Sequence, residues 1–255
     1  MPLGAYAELE FDLAGALRER LVEMFHLMPT AALDRSVVSS EVPNEQGVYQ
    51  LYHHQQLVYI GKTDAEAGLR ARLGRHADKI LHRVGLEPSA VSFKAIRLFV
   101  FTVMDLETEL LRNNKPAWNG RGFGSNDPGR ERDTTKIKPT NFDALYPIDI
   151  HRQIDFDFGA LQPCSAEEAL AAVQRGVPWK LRRENLGGRS RKCHSDLQNN
   201  LVKFSGTSRT PWELISEIVH QLPSGWQATA LRSHVILYKE APRQYPQPLA
   251  VASSP

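Results

Sequence analysis

A chain of 255 residues has room for one large domain or for a core domain with an appendage. A hydrophobic content of 42% with 24% charged residues excludes a disordered chain, and a net charge of +2 excludes a uniformly basic or acidic one. Two cysteines, Cys164 and Cys193, are too few for a disulfide framework and lack metal-ligand spacing, which points to a reducing cytoplasm.

No run approaches the roughly 18 apolar residues of a membrane span. The first residues, with Glu8, Glu10 and Asp12, have neither the basic start nor the apolar block of a signal peptide. Neither a membrane nor a secretory route is therefore expected. The charge is unevenly spread: the first 45 residues are mostly acidic, while Lys and Arg gather between Lys62 and Arg83 and between Arg175 and Lys203. Nucleic acid suits such clusters, and so does a solvated surface.

Taken in order, residues 11–25 place Leu13, Ala16, Leu17, Leu21 and Met24 at helical spacing, and Pro29 ends that helix. The segment through Pro43 reads as loop. Gly47-Val48-Tyr49 and Val58-Tyr59-Ile60-Gly61-Lys62-Thr63 alternate like strands, and the polar run His53-His54-Gln55-Gln56 between them makes a hairpin. Alternation along the two strands lets Tyr49 and Tyr59 share one face. After Asp64 to Gly68, a helix to about Val84 carries Leu69, Leu73, Ala77, Ile80 and Val84 on a core stripe. Arg72, His76, Lys79 and Arg83 form a second stripe beside it, either a solvated basic face or a row of cations waiting for phosphates.

Phe93 to Val103 reads as a strand rich in Phe, Val and Ile, followed by a helix from Met104 to Asn113. On that helix Asp105 and Glu109 project away from the core and Glu107 projects inward. An inward carboxylate needs either an arginine partner or a metal ion. Gly120 to Asp133 is a polar Gly-rich loop with Arg121, Arg130 and Arg132, a connector or a groove-reading element. Beyond about Asp155, Ser165 caps a helix to Arg175, Pro211 to Leu222 is another helix, and Gln227–Leu231 with His234–Tyr238 form a hairpin. The tail after Pro242 reads as disordered.

Five of these features agree in order and spacing: GVY at Gly47–Tyr49, YIGKT from Tyr59, Arg72 with His76 one turn on, Glu107 in ETELL, and Asn119 in PAWN. Together they resemble the GIY-YIG nuclease family over about residues 45–120. The run GFGSNDPGRERD resembles a segment of the type II restriction endonucleases of that class that cut the palindrome CCGCGG. The resemblance implies an α+β fold: a small antiparallel three-stranded sheet flanked by helices, with a helical extension at 1–44, a nuclease core with recognition loop at 45–155, an accessory α+β region at 156–241 and a flexible tail at 242–255.

It also implies hydrolysis of both strands of duplex DNA by a homodimer. Tyr49, Tyr59, Arg72, His76, Glu107 and Asn119 would carry the chemistry, with Lys62 as a further electrostatic stabiliser. Glu107 would ligate Mg²⁺ or Mn²⁺, and Lys79, Arg83, Arg121, Arg130 and Arg132 would contact DNA. Three questions stay open at this level: which tyrosine touches the attacking water, whether Asn119 positions the phosphate or the site, and which palindrome is cut. A repair or homing nuclease, or a noncatalytic DNA-binding protein on the same fold, are the alternatives.

Overall fold

A computed structural model of the protein describes residues 12–63, 66–99, 106–112, 114–125, 127–156, 163–187, 192–204 and 210–255. Two compact units divide it, one from Met1–Ala77 with Pro88–Asn119 and the other from Asp78–Glu87 with Gly120–Pro255. The expected core of 45–155 thus divides after Asn119, because residues 120–155 make their contacts within the second unit.

In the first unit, α1 (Leu13–Leu27) begins where the Asp12 carboxylate accepts from Gly15 N at 2.8 Å, and it buries Leu21 and Phe25. The segment expected to be loop supplies β1 (Ala31–Ala32) and α2 (Arg35–Glu41), the latter capped by Asp34. The hairpin follows as β2 (Gly47–His53) and β3 (Gln56–Thr63). His54 and Gln55 turn it with φ of 47° and 65°, positive at both central positions as a two-residue hairpin turn demands.

Next come α3 (Leu69–Ile80), β4 (Val91–Arg97) and α4 (Leu106–Leu111). The sheet order is β1-β4-β2-β3, all antiparallel, so the sheet has four strands rather than the expected three. The fourth is the two-residue β1, pairing Ala31 with Phe93, which is too short to stand out by alternation. The ends expected for β4 and α4, at 100–105 and 113, lie outside the described residues.

Alternation decides what covers each face of this sheet. Val48, Ile60 and Ile96 pack with Leu21 and Phe25 of α1 and Leu110 of α4. Gly47 and Tyr49 face the other way, toward Leu69 and His76 of α3. The α3 stripe of Leu69, Leu73, Ala77 and Ile80 is buried as its spacing predicts, but the helix stops at Ile80 and Val84 is 51% exposed. His82, with φ of 50°, and Gly85, with φ of 73°, carry the chain out of helical geometry.

In the second unit two short helices, α5 (Glu131–Thr134) and α6 (Phe142–Leu145), precede β5 (Cys164–Ser165). Then come α7 (Ala166–Gly176), β6 (Lys180–Arg183), α8 (Ser195–Asn199), β7 (Leu201–Val202), α9 (Pro211–His220), β8 (Gln227–Ala230), β9 (His234–Tyr238) and β10 (Ala250–Ser253). Ser165 and Glu168 form the capping box that starts α7; Thr210, Glu213 and Pro211 do the same for α9.

A sheet in the order β10-β8-β9-β6, antiparallel but for the β6–β9 pair, closes over Leu170, Val173, Ile215, Ile218 and Trp226. The tail expected to be flexible is an edge strand here, with β10 paired to β8 from Ala250↔Ala230 to Ser253↔Gln227. Its alternating half-buried residues give too short a pattern to separate from disorder by composition. Among the described residues no helix is long and apolar enough to cross a membrane.

Two buried carboxylates organise the polar interior of this unit. Asp143, 1% exposed, takes Arg83 at 2.9 Å and also pairs with Arg132. Asp133, 2% exposed, accepts from Tyr238 at 3.0 Å, contacts His234 Nε2 at 2.7 Å and pairs with Arg182. Removing one partner of such a pair leaves an uncompensated buried charge. Asp143→Ala is expected to destabilise the protein by about 3–5 kcal/mol, read by urea unfolding. An unchanged midpoint would show that Arg83 and Arg132 find water instead.

Candidate active site

Glycine makes the site possible before any charged group enters it. Tyr49 sits opposite Gly61 in the β2–β3 register, and its phenol ring lies where a Cβ on residue 61 would be. Gly47 is constrained in the same way, since a side chain there would strike the Ile96 carbonyl and Leu69. Gly61 is thus a steric necessity of a tyrosine lying flat across its neighbouring strand, and Gly47 of the close approach of β4 and α3.

The Tyr49 hydroxyl stands 2.8 Å from His76 Nε2 and accepts from Arg72 Nε at 3.3 Å. His76 and Arg72 are four residues apart on α3, so a single helical turn presents both to the same phenol. The rings of Tyr49, Tyr59 and His76 close a triangle, with centroids 6.0, 5.6 and 5.4 Å apart. Arg72 also hydrogen-bonds the Tyr59 side chain. Tyr49 is wholly buried and His76 is 3% exposed, whereas Tyr59 keeps 6% and Arg72 is half-buried, so the cluster is reached from the Tyr59 and Arg72 side.

Burial pushes the Tyr49 pKa upward, the neighbouring Tyr59 adds to that, and the Arg72 contact only partly offsets it. Tyr49 is therefore a neutral phenol at physiological pH. Among the protein groups around it, Arg72 does not outweigh burial in favour of a phenolate. A hydroxyl that accepts one proton while passing its own to His76 fits this environment.

Glu107 opens α4, which packs on β3, and it is half-buried. It lies close enough to raise the Tyr49 pKa further. Its charge is the smallest of the influences named on that phenol. Glu109 differs from expectation. Instead of facing solvent it is 7% exposed, paired with Arg112 at 2.8 Å and near Arg18 at 3.9 Å. The cause is α1, which covers a second face of α4; a helical wheel drawn for one buried face misassigns that residue. Asp105 lies outside the described residues.

Asn119 answers one of the open questions. Its Oδ1 accepts from Ile60 N at 2.9 Å and its Nδ2 donates to Ile60 O at 2.8 Å. One side-chain amide thus imitates a strand on the outer edge of β3, between the residues that carry Tyr59 and Gly61. Trp118 N, bonded to Val58 O at 2.8 Å, extends the same edge. Asn119 positions the site. Lys62, by contrast, is exposed and alternates onto the face opposite Tyr59 and Gly61, so the strand does not deliver it to the phenols.

The cations expected on DNA are mostly occupied within the second unit. Lys79 donates to the carbonyls of Gly122 and Phe123 at 2.8 and 2.6 Å, and the Arg83 side chain is 5% exposed against Asp143. Arg132 binds Asp143 and Ser233 Oγ, while Arg130 pairs with Glu184 at 2.7 Å and stacks on Tyr238. Lys79, Arg83 and Arg132 hold the fold, a correction that sequence could not supply because their acceptors lie 11 to 101 residues away. Arg121 is exposed and forms no side-chain hydrogen bond or ion pair among the described residues.

Among the described residues no group of three or more His, Cys, Asp or Glu side chains could hold a metal ion. What the cluster offers is a single carboxylate, Glu107. That donor set fits a hard cation such as Mg²⁺, which keeps several waters and takes one or two carboxylates. No family model matches the chain, and no curated protein matches it.

Two outcomes follow from the geometry. Gly61→Ala must displace the Tyr49 ring and is expected to cost about 1–3 kcal/mol of stability in thermal unfolding. The raised Tyr49 pKa means that the folded state holds this proton more tightly than the unfolded chain. Its contribution is complete below the ordinary tyrosine value of about 10 and is lost as pH rises through the folded value. Stability should therefore fall on alkalinisation above pH of about 10, less steeply in Tyr49→Phe, with Tyr52, Tyr238 and Tyr245 contributing in the same direction. Equal slopes in the two proteins would remove the buried-phenol account.

Proposed function

We propose that this protein is a metal-dependent endonuclease of the GIY-YIG type, hydrolysing both strands of duplex DNA. Its closest functional class is the type II restriction endonucleases that cut a short GC-rich palindrome such as CCGCGG. The observation that carries the reading is the Tyr49 hydroxyl held between His76 Nε2 and Arg72 Nε, with the Glu107 carboxylate beside it. A proton acceptor, a hydroxyl relay, a fixed cation and a hard-cation ligand are the set that phosphodiester hydrolysis requires.

In this reading Tyr59, which keeps 6% exposure, meets the incoming phosphate, and the wholly buried Tyr49 is the inner hydroxyl of the relay. As water attacks phosphorus, its proton passes to the Tyr49 oxygen while the Tyr49 proton moves to His76 Nε2, leaving an imidazolium and a neutral phenol. This requires the His76 tautomer with Nε2 unprotonated. The Arg72 guanidinium, anchored by both phenols, directs its remaining N–H groups to the nonbridging oxygens as charge grows on them. The bond to the 3′ oxygen then breaks. Glu107 would hold the divalent ion, which when bound supplies Lewis-acid stabilisation of the phosphate and of the leaving oxygen.

One site per chain and two strands to cut call for two chains about a twofold axis, which a palindromic target mirrors. Glu107→Gln is expected to abolish cleavage of plasmid DNA while leaving duplex binding intact. Arg72→Ala should lower the single-turnover rate by a factor of about 10² to 10³. His76→Ala should lower it by about 10² to 10⁴ and remove the acidic limb of the pH–rate profile. Cleavage by Glu107→Gln at the wild-type rate would remove the metal assignment, and diffuse products in place of discrete bands would remove the restriction-enzyme assignment.

A further inference from the structure

The second unit holds a groove of about 580 Å³ that the hydrolysis does not use. His82, Arg152, Arg175, Ile154 and Phe156 line it, together with Asp155. The volume falls in the range of ligand clefts. Gly176 packs closely on Ile154, where a Cβ would lie 3.0 Å from the Ile154 side chain.

Charge pairing is uneven across this unit. Arg83, Arg130, Arg132, Arg182 and Arg243 each reach a carboxylate. Arg152 and Arg175 do not: neither has a hydrogen bond or ion pair among the described residues, although Asp155 lines the same groove. Two unpaired guanidiniums near one cavity repel each other and gain from an oxyanion. Arg175 lies in the last turn of α7 and offsets the helix dipole, which would otherwise oppose an anion there.

His82 supplies the polar complement. It is a non-glycine residue at positive φ, held there because its carbonyl accepts from Asp149 N at 2.9 Å, and such strain concentrates at functional positions. Its Nδ1 is buried with no partner. Burial, then the nearby Arg152, lower its pKa, while Asp149 acts the other way, so the ring is neutral at physiological pH.

We infer that Arg152, Arg175 and His82 form a phosphate subsite that grips the backbone of duplex DNA outside the catalytic cluster. This rests on the nuclease reading and adds a positioning contact to it. Phosphate contacts of this kind set register and carry no sequence information.

The test uses the full chain, a labelled duplex and no divalent ion, with affinity measured across a salt series. Arg152→Ala combined with Arg175→Ala should weaken binding and flatten the slope of log K against log salt by about 0.9, the loss of one B-form phosphate contact. Arg152→Lys with Arg175→Lys should keep the slope. An unchanged slope in the alanine pair, with the wild type binding normally, overturns the subsite alone. A wild-type chain that binds no duplex overturns the subsite and the nuclease reading together. Inorganic phosphate, followed through the His82 ring resonances, separates the remaining source: perturbation by the free ion with no change in the duplex slope overturns the backbone assignment.

Discussion

A tyrosine ring lying across a glycine on the next strand is the constraint on which the Tyr49–His76–Arg72 cluster depends. The absent Cβ at Gly61 lets the Tyr49 phenol run flat over β3, and only from there does its hydroxyl reach both His76 and Arg72. The edge of β3 is fixed in turn by Asn119, whose amide occupies the backbone groups of Ile60 as a neighbouring strand would. Small changes on either side of this stack move the relay as a unit. Buried packing has no soft direction along which a single ring can slide.

Burial assigns the proton chemistry more sharply than composition does. A phenol shut away from water resists ionisation, so Tyr49 stays neutral while it holds its contacts to His76 and Arg72. Arg72 has two tasks, donating to the Tyr49 hydroxyl and to the Tyr59 side chain. Those tasks need the planar fork of a guanidinium, and lysine has no equivalent.

The second unit shows a different use of charge. Asp133 and Asp143 gather arginines, a histidine and a tyrosine into a buried network that ties residues 79–83, 130–143, 182 and 234–238 together. Buried ion pairs gain little net stability over apolar packing but penalise every arrangement that leaves one member alone. Here they join segments distant in sequence, and they consume cations that would otherwise be counted as available for a polyanion. Arg121, Arg152 and Arg175 are left outside the network.

The grouping of Tyr49, Tyr59, Arg72 and His76 was implied by the family resemblance, while sequence by itself determined the hairpin, the stripe of α3, the capped helices at Ser165 and Pro211, and the β8–β9 hairpin. All of these rest on local periodicity, caps or short spacings, which a chain carries within one or two turns of itself. Tertiary structure alone decided the rest. The strand at Ala31–Ala32 and the one at Ala250–Ser253 exist because a longer partner was waiting at a sheet edge. Glu109 is buried because a second helix covers it, and Lys62 is kept from the phenols by strand register. Lys79, Arg83 and Arg132 are structural because carbonyls and a carboxylate far along the chain come to meet them. A side chain's type is written in the sequence, but its partner is a property of distance in space, which only the folded chain sets.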